Sequence, residues 1–164
     1  MAPHDTRPQN DAVTAPRPSS PPLRRVAGAW LVRNGRILVL QRSGGLSDGS
    51  WVPPGGLVDP GEEPLATALR ETLEETGLSL GAPAFLRSWS WEAASIDVHH
   101  FVGVAEGPIV RISAEHYDFD WLTPGDYVER HLRNVTSPRF ERWAEDMRVS
   151  AELVARWIEE FSRE

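Results

Sequence analysis

The sequence predicts an α+β fold, a mixed-sheet sandwich, on three observations. A strand–turn–strand signature stands near the start, a single amphipathic helix follows a Gly/Pro-rich stretch, and two more apolar runs precede a helical tail. Strands and helices are thus mixed without the strict alternation of a doubly wound parallel sheet. With 164 residues the chain is long enough to bury one core without covalent staples.

Residues 1–22, "MAPHDTRPQNDAVTAPRPSSPP", hold six prolines and almost no bulky apolar side chains. Composition predicts a disordered leader here, with no secretory h-region, and a single domain over 23–164. The runs Val26 to Val32 and Ile37 to Leu40 flank Asn34-Gly35, which supplies the positive φ angles of a tight hairpin. "GGLSDGSWVPPGG" reads as loop. A helix is predicted over 64–76, with Glu63 as N-cap, Pro64 at the first helical position and Gly77 as a left-handed C-cap. Ala84 to Trp91 and Val98 to Ala105 are predicted to pair as strands. "YDFDWLT" is predicted as another short strand, with "TPGDY" turning out of it. The tail carries two helical patterns, Phe140/Trp143/Ala144/Met147 and Leu153/Val154/Trp157/Ile158/Phe161, so two C-terminal helices are expected.

Composition narrows the function classes. A net charge of −7 opposes a general nucleic-acid binder, which needs a basic footprint. No stretch approaches the roughly 18–20 apolar residues of a membrane span. The absence of cysteine removes disulfides and thiolate metal sites. A soluble cytoplasmic protein is expected, with neither nucleic acid nor membrane as partner. The apolar stripes of the tail can pack on the domain or on a second subunit, so a homodimer stays open.

The middle helix poses a physical problem. At 100° per residue Glu71, Glu74 and Glu75 share one narrow arc, opposite Leu65, Leu69, Thr72, Leu73 and Thr76. The expected orientation buries the leucines and presents the carboxylates outward. Like charges at i,i+3 and i,i+4 cost about 0.2–0.5 kcal/mol each. Acids in the last turn also oppose the helix dipole, at roughly 0.3–1 kcal/mol each. A bound hard cation such as Mg²⁺ or Mn²⁺ would reverse both terms; spacing alone fits a solvated acidic face equally well.

The surroundings decide more. Gly56, five residues, Glu62, seven residues, Arg70-Glu71, two residues, Glu74-Glu75, one residue and Gly77-Leu78 together resemble the Nudix hydrolase signature, G-x5-E-x7-R-E-U-x-E-E-x-G-U with U apolar. The one departure is Thr72 at an apolar position. "WVPPGG" resembles the family's aromatic-x-x-Pro-Gly-Gly entry, with Pro53 in place of an apolar residue. The resemblance, MutT-like in kind, implies an α/β/α sandwich with a catalytic loop–helix–loop. It also implies divalent-metal-dependent hydrolysis of a diphosphate linking a nucleoside to another group. Carried over, Glu71, Glu74 and Glu75 are metal ligands with the Gly56 carbonyl, and Glu62 and Arg70 pair as a structural brace.

The catalytic base varies in this family. Glu75 and Glu115 are the leading candidates; Glu115 matches in spacing an acid that binds metal in members acting on oxidised guanine triphosphates. His116 and the pair His99-His100 are alternatives. Arg42 matches in position an arginine that holds substrate phosphate. Asn134 is a candidate base contact, and Trp89 and Trp91 are either a stacking platform or core. The family's proline and tyrosine substrate markers, about 16 residues past the box, are missing from "WEAASI". That favours a nucleoside triphosphate or nucleotide-sugar as the small phosphoanhydride substrate, with prenyl diphosphates open. A catalytically silent nucleotide sensor is the reading from another class. RNA decapping suffers from the acidic balance.

Overall fold

β1 (Arg24–Arg33) runs through the middle of a seven-stranded mixed sheet in this computed structural model, which describes residues 23–108 and 110–163. The expected leader therefore lies outside the described residues. β1 turns through Asn34-Gly35, at φ 51° and 72°, into β2 (Arg36–Arg42), the left-handed pair that a tight hairpin demands. β3 (Trp51–Val52) pairs with β2, and β4 (Gly55–Leu57) pairs with β1. β5 (Ser79–Trp91) and β6 (Ile96–Glu106) are antiparallel partners, joined by a short 3₁₀ turn at Glu92–Ala94. β7 (His116–Leu122) returns to pair with β2. The order is β3-β2-β1-β6-β5; β1 and β6 run parallel and the other pairs antiparallel, so the sheet is mixed as the sequence predicts.

Within the stretch read as loop, Trp51–Val52 and Gly55–Leu57 are strands, with Pro53-Pro54 between them. The β1–β2 pairing is confined to the hairpin end, Val32↔Ile37 and Arg33↔Arg36, and β4 takes the same edge of β1 further back, at Val26, Ala27 and Gly28. Gly55 makes this close approach possible: a Cβ there would stand 2.5 Å from the Ala27 carbonyl oxygen.

Alternation along β1 sorts the core into two layers. Trp30 and Val32 join Val98, Val102, Met147, Ala151 and Val154 on one face; Ala27, Ala29 and Leu31 join Ala68, Leu78 and Phe101 on the other. Helix α1 (Pro64–Thr76) covers the second face, with Glu63 at its N-cap position, without a side-chain capping bond, and Gly77 as C-cap at φ 70°. The first face is covered by α2 (Pro124–Tyr127), a π-helical turn at Val128–Leu132, and α3 (Pro138–Phe161). This is an α/β/α sandwich.

Two further expectations are corrected. The two C-terminal patterns form one 24-residue helix, because nothing between Met147 and Leu153 breaks it. The orientation of α1 also differs. Leu65, Leu69 and Leu73 are 36%, 37% and 57% exposed, whereas Thr67, Ala68, Thr72, Glu75 and Thr76 are buried. The helix is rolled by about a quarter turn from the leucine-in orientation, a rotation that its 3.6-residue period makes easy to misjudge. Short side chains let it lie close against Ala27 and Ala29. Among the described residues no helix is long and apolar enough to cross a membrane.

Candidate active site

The roll of α1 brings its acids to the edge of β4. Glu75 is buried, and its Oε2 accepts the Gly55 backbone N–H at 3.3 Å. Glu71 lies so close to Gly56 that a Cβ on that glycine would stand 2.5 Å from its carboxyl carbon. Arg70 braces the loop before the helix: its Nε and Nη2 donate to both oxygens of Glu62 at 3.0 and 2.9 Å. Its Nη1 also donates to Glu71 at 2.9 Å and to Glu74 at 3.3 Å. These bonds hold the Glu62 carboxyl down at about 2.

Glu75 is pushed the other way. Burial raises its carboxyl far above the ordinary range, and Glu71 adds to this by hydrogen bond and by like charge, with Glu115 contributing. His116 Nε2 stands 3.7 Å from Glu75 Oε2. Burial lowers the pKa of His116, and the charge of Arg42 lowers it further.

These groups occupy one end of a cleft of about 640 Å³. Its floor follows the register of three strands. Gly55, Gly28 and His100 lie in one cross-strand row across β4, β1 and β6. Leu57, Val26, Val98 and Trp89 form the next row, and Arg24, Ile96 and Trp91 the third. Trp143 and Met147 of α3 wall the far side. A partly buried ion pair fixes that wall: Arg87 of β5 donates to the Asp146 carbonyl at 2.7 Å and to its carboxylate at 3.0 Å. The cleft is therefore acidic at the α1 end and aromatic at the α3 end.

The structure brings Gly56, Glu71, Glu74, Glu75, Glu115, Arg42 and His116 to the same cleft. Glu115 is exposed in the turn before β7, where its carbonyl accepts the Ser43 N–H at 2.9 Å. Asn134 is not among the lining residues; it is exposed in the turn after the π-helical segment. His99 points to the opposite sheet face from His100, with Nδ1 2.9 Å from Ser88 Oγ. Trp89 and Trp91 serve as both core and cleft wall. Sequence reasoning passed over Gly28, Arg24 and Trp143, because only the register and the seat of α3 bring them to the cleft.

The donors fit a hard divalent cation in type, being carboxylates and a carbonyl, and in place, around the mouth formed by Gly56 and Glu71. Among the described residues no group of three or more His, Cys, Asp or Glu side chains is already arranged to hold a metal ion. Arg70 accounts for this, since it draws Glu71 and Glu74 to itself.

The NUDIX domain model matches residues 22–144, three quarters of the chain. The chain belongs to the NUDIX family. Among curated relatives, the bis(5'-nucleosyl)-tetraphosphatase [asymmetrical] of Sus scrofa is 37% identical over 94 residues, covering 52% of this chain and 63% of that protein. A MutT-like protein of Streptomyces ambofaciens is 32% identical over 114 residues, covering 68% and 72%. The chain thus spans somewhat under two thirds of the pig relative's length. The crystal structure of a MutT NUDIX hydrolase from Burkholderia pseudomallei superposes with a TM-score of 0.63 at 24% identity, covering 80% of this chain and 97% of that one. This likeness supports the sandwich fold.

Proposed function

We propose that this NUDIX chain is a divalent-metal-dependent hydrolase that cleaves the diphosphate linkage of a nucleotide, a nucleoside triphosphate or nucleotide-sugar. The observation that carries the reading is the polarity of the cleft. Four carboxylates and the Gly56 backbone stand at one end, and tryptophans wall the other. A diphosphate repels a nucleophile until its charge is neutralised, and a bound Mg²⁺ or Mn²⁺ supplies that neutralisation and acidifies a water.

The chain's own residues have distinct tasks in this reading. Gly56, Glu71, Glu74, Glu75 and Glu115 hold the cation. Arg42 takes a phosphate oxygen at the cleft rim. Glu75 or Glu115 accepts the proton of the attacking water; Glu75 is the better placed to keep a proton, being buried, and Glu115 the better placed to release one to solvent. Glu62 and Arg70 hold the loop against the helix. Trp91 and Trp143, tilted at 42° with centroids 6.4 Å apart, offer aromatic surface to a base.

Phosphate release from nucleoside triphosphates, nucleotide-sugars and a dinucleoside tetraphosphate tests this, with a coupled phosphatase and either Mg²⁺ or Mn²⁺. The tetraphosphate belongs in the panel because of the pig relative's name. Turnover that needs metal and disappears in Glu74→Gln supports the reading. Tight nucleotide binding without turnover would instead make this a sensor.

A further inference from the structure

We propose that His100 is the specificity-determining residue of this cleft, reading the nucleobase of the substrate through Nε2. The proposal rests on the nucleotide-hydrolase reading above.

The ring is fixed from several sides. Ser150 of α3 lies 2.9 Å from Nδ1, so one ring nitrogen is committed to the helix above the sheet. Trp30 and Trp89 meet the ring edge-on, with centroids at 5.6 and 6.0 Å. The Cδ2–Nε2 edge is turned toward β1: a Cβ on Gly28 would lie 3.6 Å from Cδ2 and 3.9 Å from Nε2. Nε2 has no hydrogen-bond partner among the described residues, and the side chain lines the cleft.

Its surroundings make that nitrogen selective. The side chains around it at the aromatic end are Trp89, Trp91, Val98, Trp143 and Met147. These provide area without distinguishing one base edge from another. Trp91 Nε1 is already spent on the Arg139 carbonyl at 3.2 Å. Trp89 Nε1 is unpaired among the described residues but sealed from the cleft, and Arg24 is exposed at the rim beyond Trp91. An oriented hydrogen-bonding group in mostly apolar surroundings discriminates strongly, because a mismatched partner leaves it unpaired. Burial keeps the imidazole neutral, with its pKa pushed down to about 3, so Nε2 takes the role opposite to the one Nδ1 takes toward Ser150, one donor or one acceptor.

The distance fits. Gly55, beside Glu75, and His100 are separated by two strand spacings, roughly 10 Å. That is the reach of a nucleoside from its 5'-phosphate. Gly28 lies midway and leaves the floor open between them.

The test uses the full chain and measures kcat/KM for ATP, GTP, CTP and UTP, and for nucleoside diphosphate sugars carrying the same bases, with Mg²⁺ or Mn²⁺. His100→Asn places its amide where Nδ1 stands and keeps a partner for Ser150, but loses Nε2. His100→Gln reaches the Nε2 position. The expected result is that His100→Asn changes the ratio of kcat/KM between the preferred and the poorest base by about tenfold, with His100→Gln restoring part of it. Gly28→Ala raises KM for all bases by narrowing the floor. A purely structural role would lower all substrates together. Unchanged base ratios in a folded His100→Asn protein, with wild-type turnover intact, overturn this inference alone. A wild type silent toward the whole panel overturns the hydrolase reading and this inference with it.

Discussion

The helices on the two faces of the sheet obey different rules. α3 is seated chiefly by hydrophobicity: Ala144, Met147, Ala151 and Val154 recur at helical spacing and are buried, and the two polar residues buried beside them, Asp146 and Ser150, are each paired, with Arg87 and His100. α1 instead turns a carboxylate and threonines inward and leaves three leucines at the surface. Burying the leucines would swing Glu75 away from Gly55 and Glu71 away from Gly56. What α1 presents to the cleft, rather than what it removes from water, sets its orientation. A helix whose burial contradicts its own apolar pattern is therefore a pointer to a site.

Four experiments probe that difference, beginning with the largest effect. Glu74→Gln and Glu75→Gln on α1 each lower turnover by about two orders of magnitude or more, while the fold survives. The Glu75 variant also has a stability signature in chelator-treated protein. The folded Glu75 carboxyl titrates above its unfolded value of 4.5, so its contribution is present below that pH and is lost as pH rises toward the folded value. Glutamine has no such loss. The melting temperature of Glu75→Gln therefore gains on wild type between about pH 5 and pH 8. Near-wild-type turnover in both variants would dismiss the metal site.

The next experiment contrasts the helices directly. Met147→Ala on α3 costs about 2–5 kcal/mol in urea unfolding, from lost packing at a buried position. Leu73→Ala on α1 stays within about 0.5 kcal/mol, because the side chain is already in water. Equal losses would mean that the leucine stripe is covered in solution.

Metal binding gives an intermediate effect. Mg²⁺ or Mn²⁺ at one hundred times its dissociation constant stabilises the folded chain by about 2.7 kcal/mol, roughly 5–10 °C for a domain of this size. Adding a non-hydrolysable nucleotide tightens the site, since Mg²⁺ keeps to phosphate oxygens. A Glu71→Gln/Glu74→Gln/Glu75→Gln protein loses the shift. A melting curve indifferent to metal in both conditions would leave α1 with a merely acidic face.

The smallest effect concerns the motif's one departure. Thr72 is fully buried and its Oγ1 has no hydrogen-bond partner among the described residues. Thr72→Val keeps the shape and removes the orphan, so calorimetry should show a gain of about 1 kcal/mol with turnover unchanged.

Much of this was legible in the chain. Asn34-Gly35 gave the hairpin, Pro64 and Gly77 bounded α1, and the carboxylate spacing located one end of the cleft. The rest needed information that local patterns do not carry. "WVPPGG" has the composition of a loop, and its two short strands exist only because β2 and β1 each offer an edge. The roll of α1 depends on Ala27 and Ala29, distant in sequence. His100 looks like any strand histidine until the register sets it beside Gly28 and the seat of α3 brings Ser150 to it. Asn134, plausible by type, is exposed on a turn outside the cleft lining.

The parallel pairing of β1 with β6 has a consequence for how the chain comes into being. One edge of β1 finds β2 through a two-residue turn, but the other waits for a partner about 70 residues away. Pairings of that span are the slow step of small mixed folds, on the order of milliseconds to seconds. During synthesis the acidic helix emerges before β6 does, so the carboxylates exist before the floor they overlook. A nascent chain therefore carries one end of the cleft without the other. The donors of β4 and α1 emerge early, whereas Glu115 arrives only with β7 and the aromatic end only with β6 and α3, so selectivity is among the final properties that the folding chain acquires.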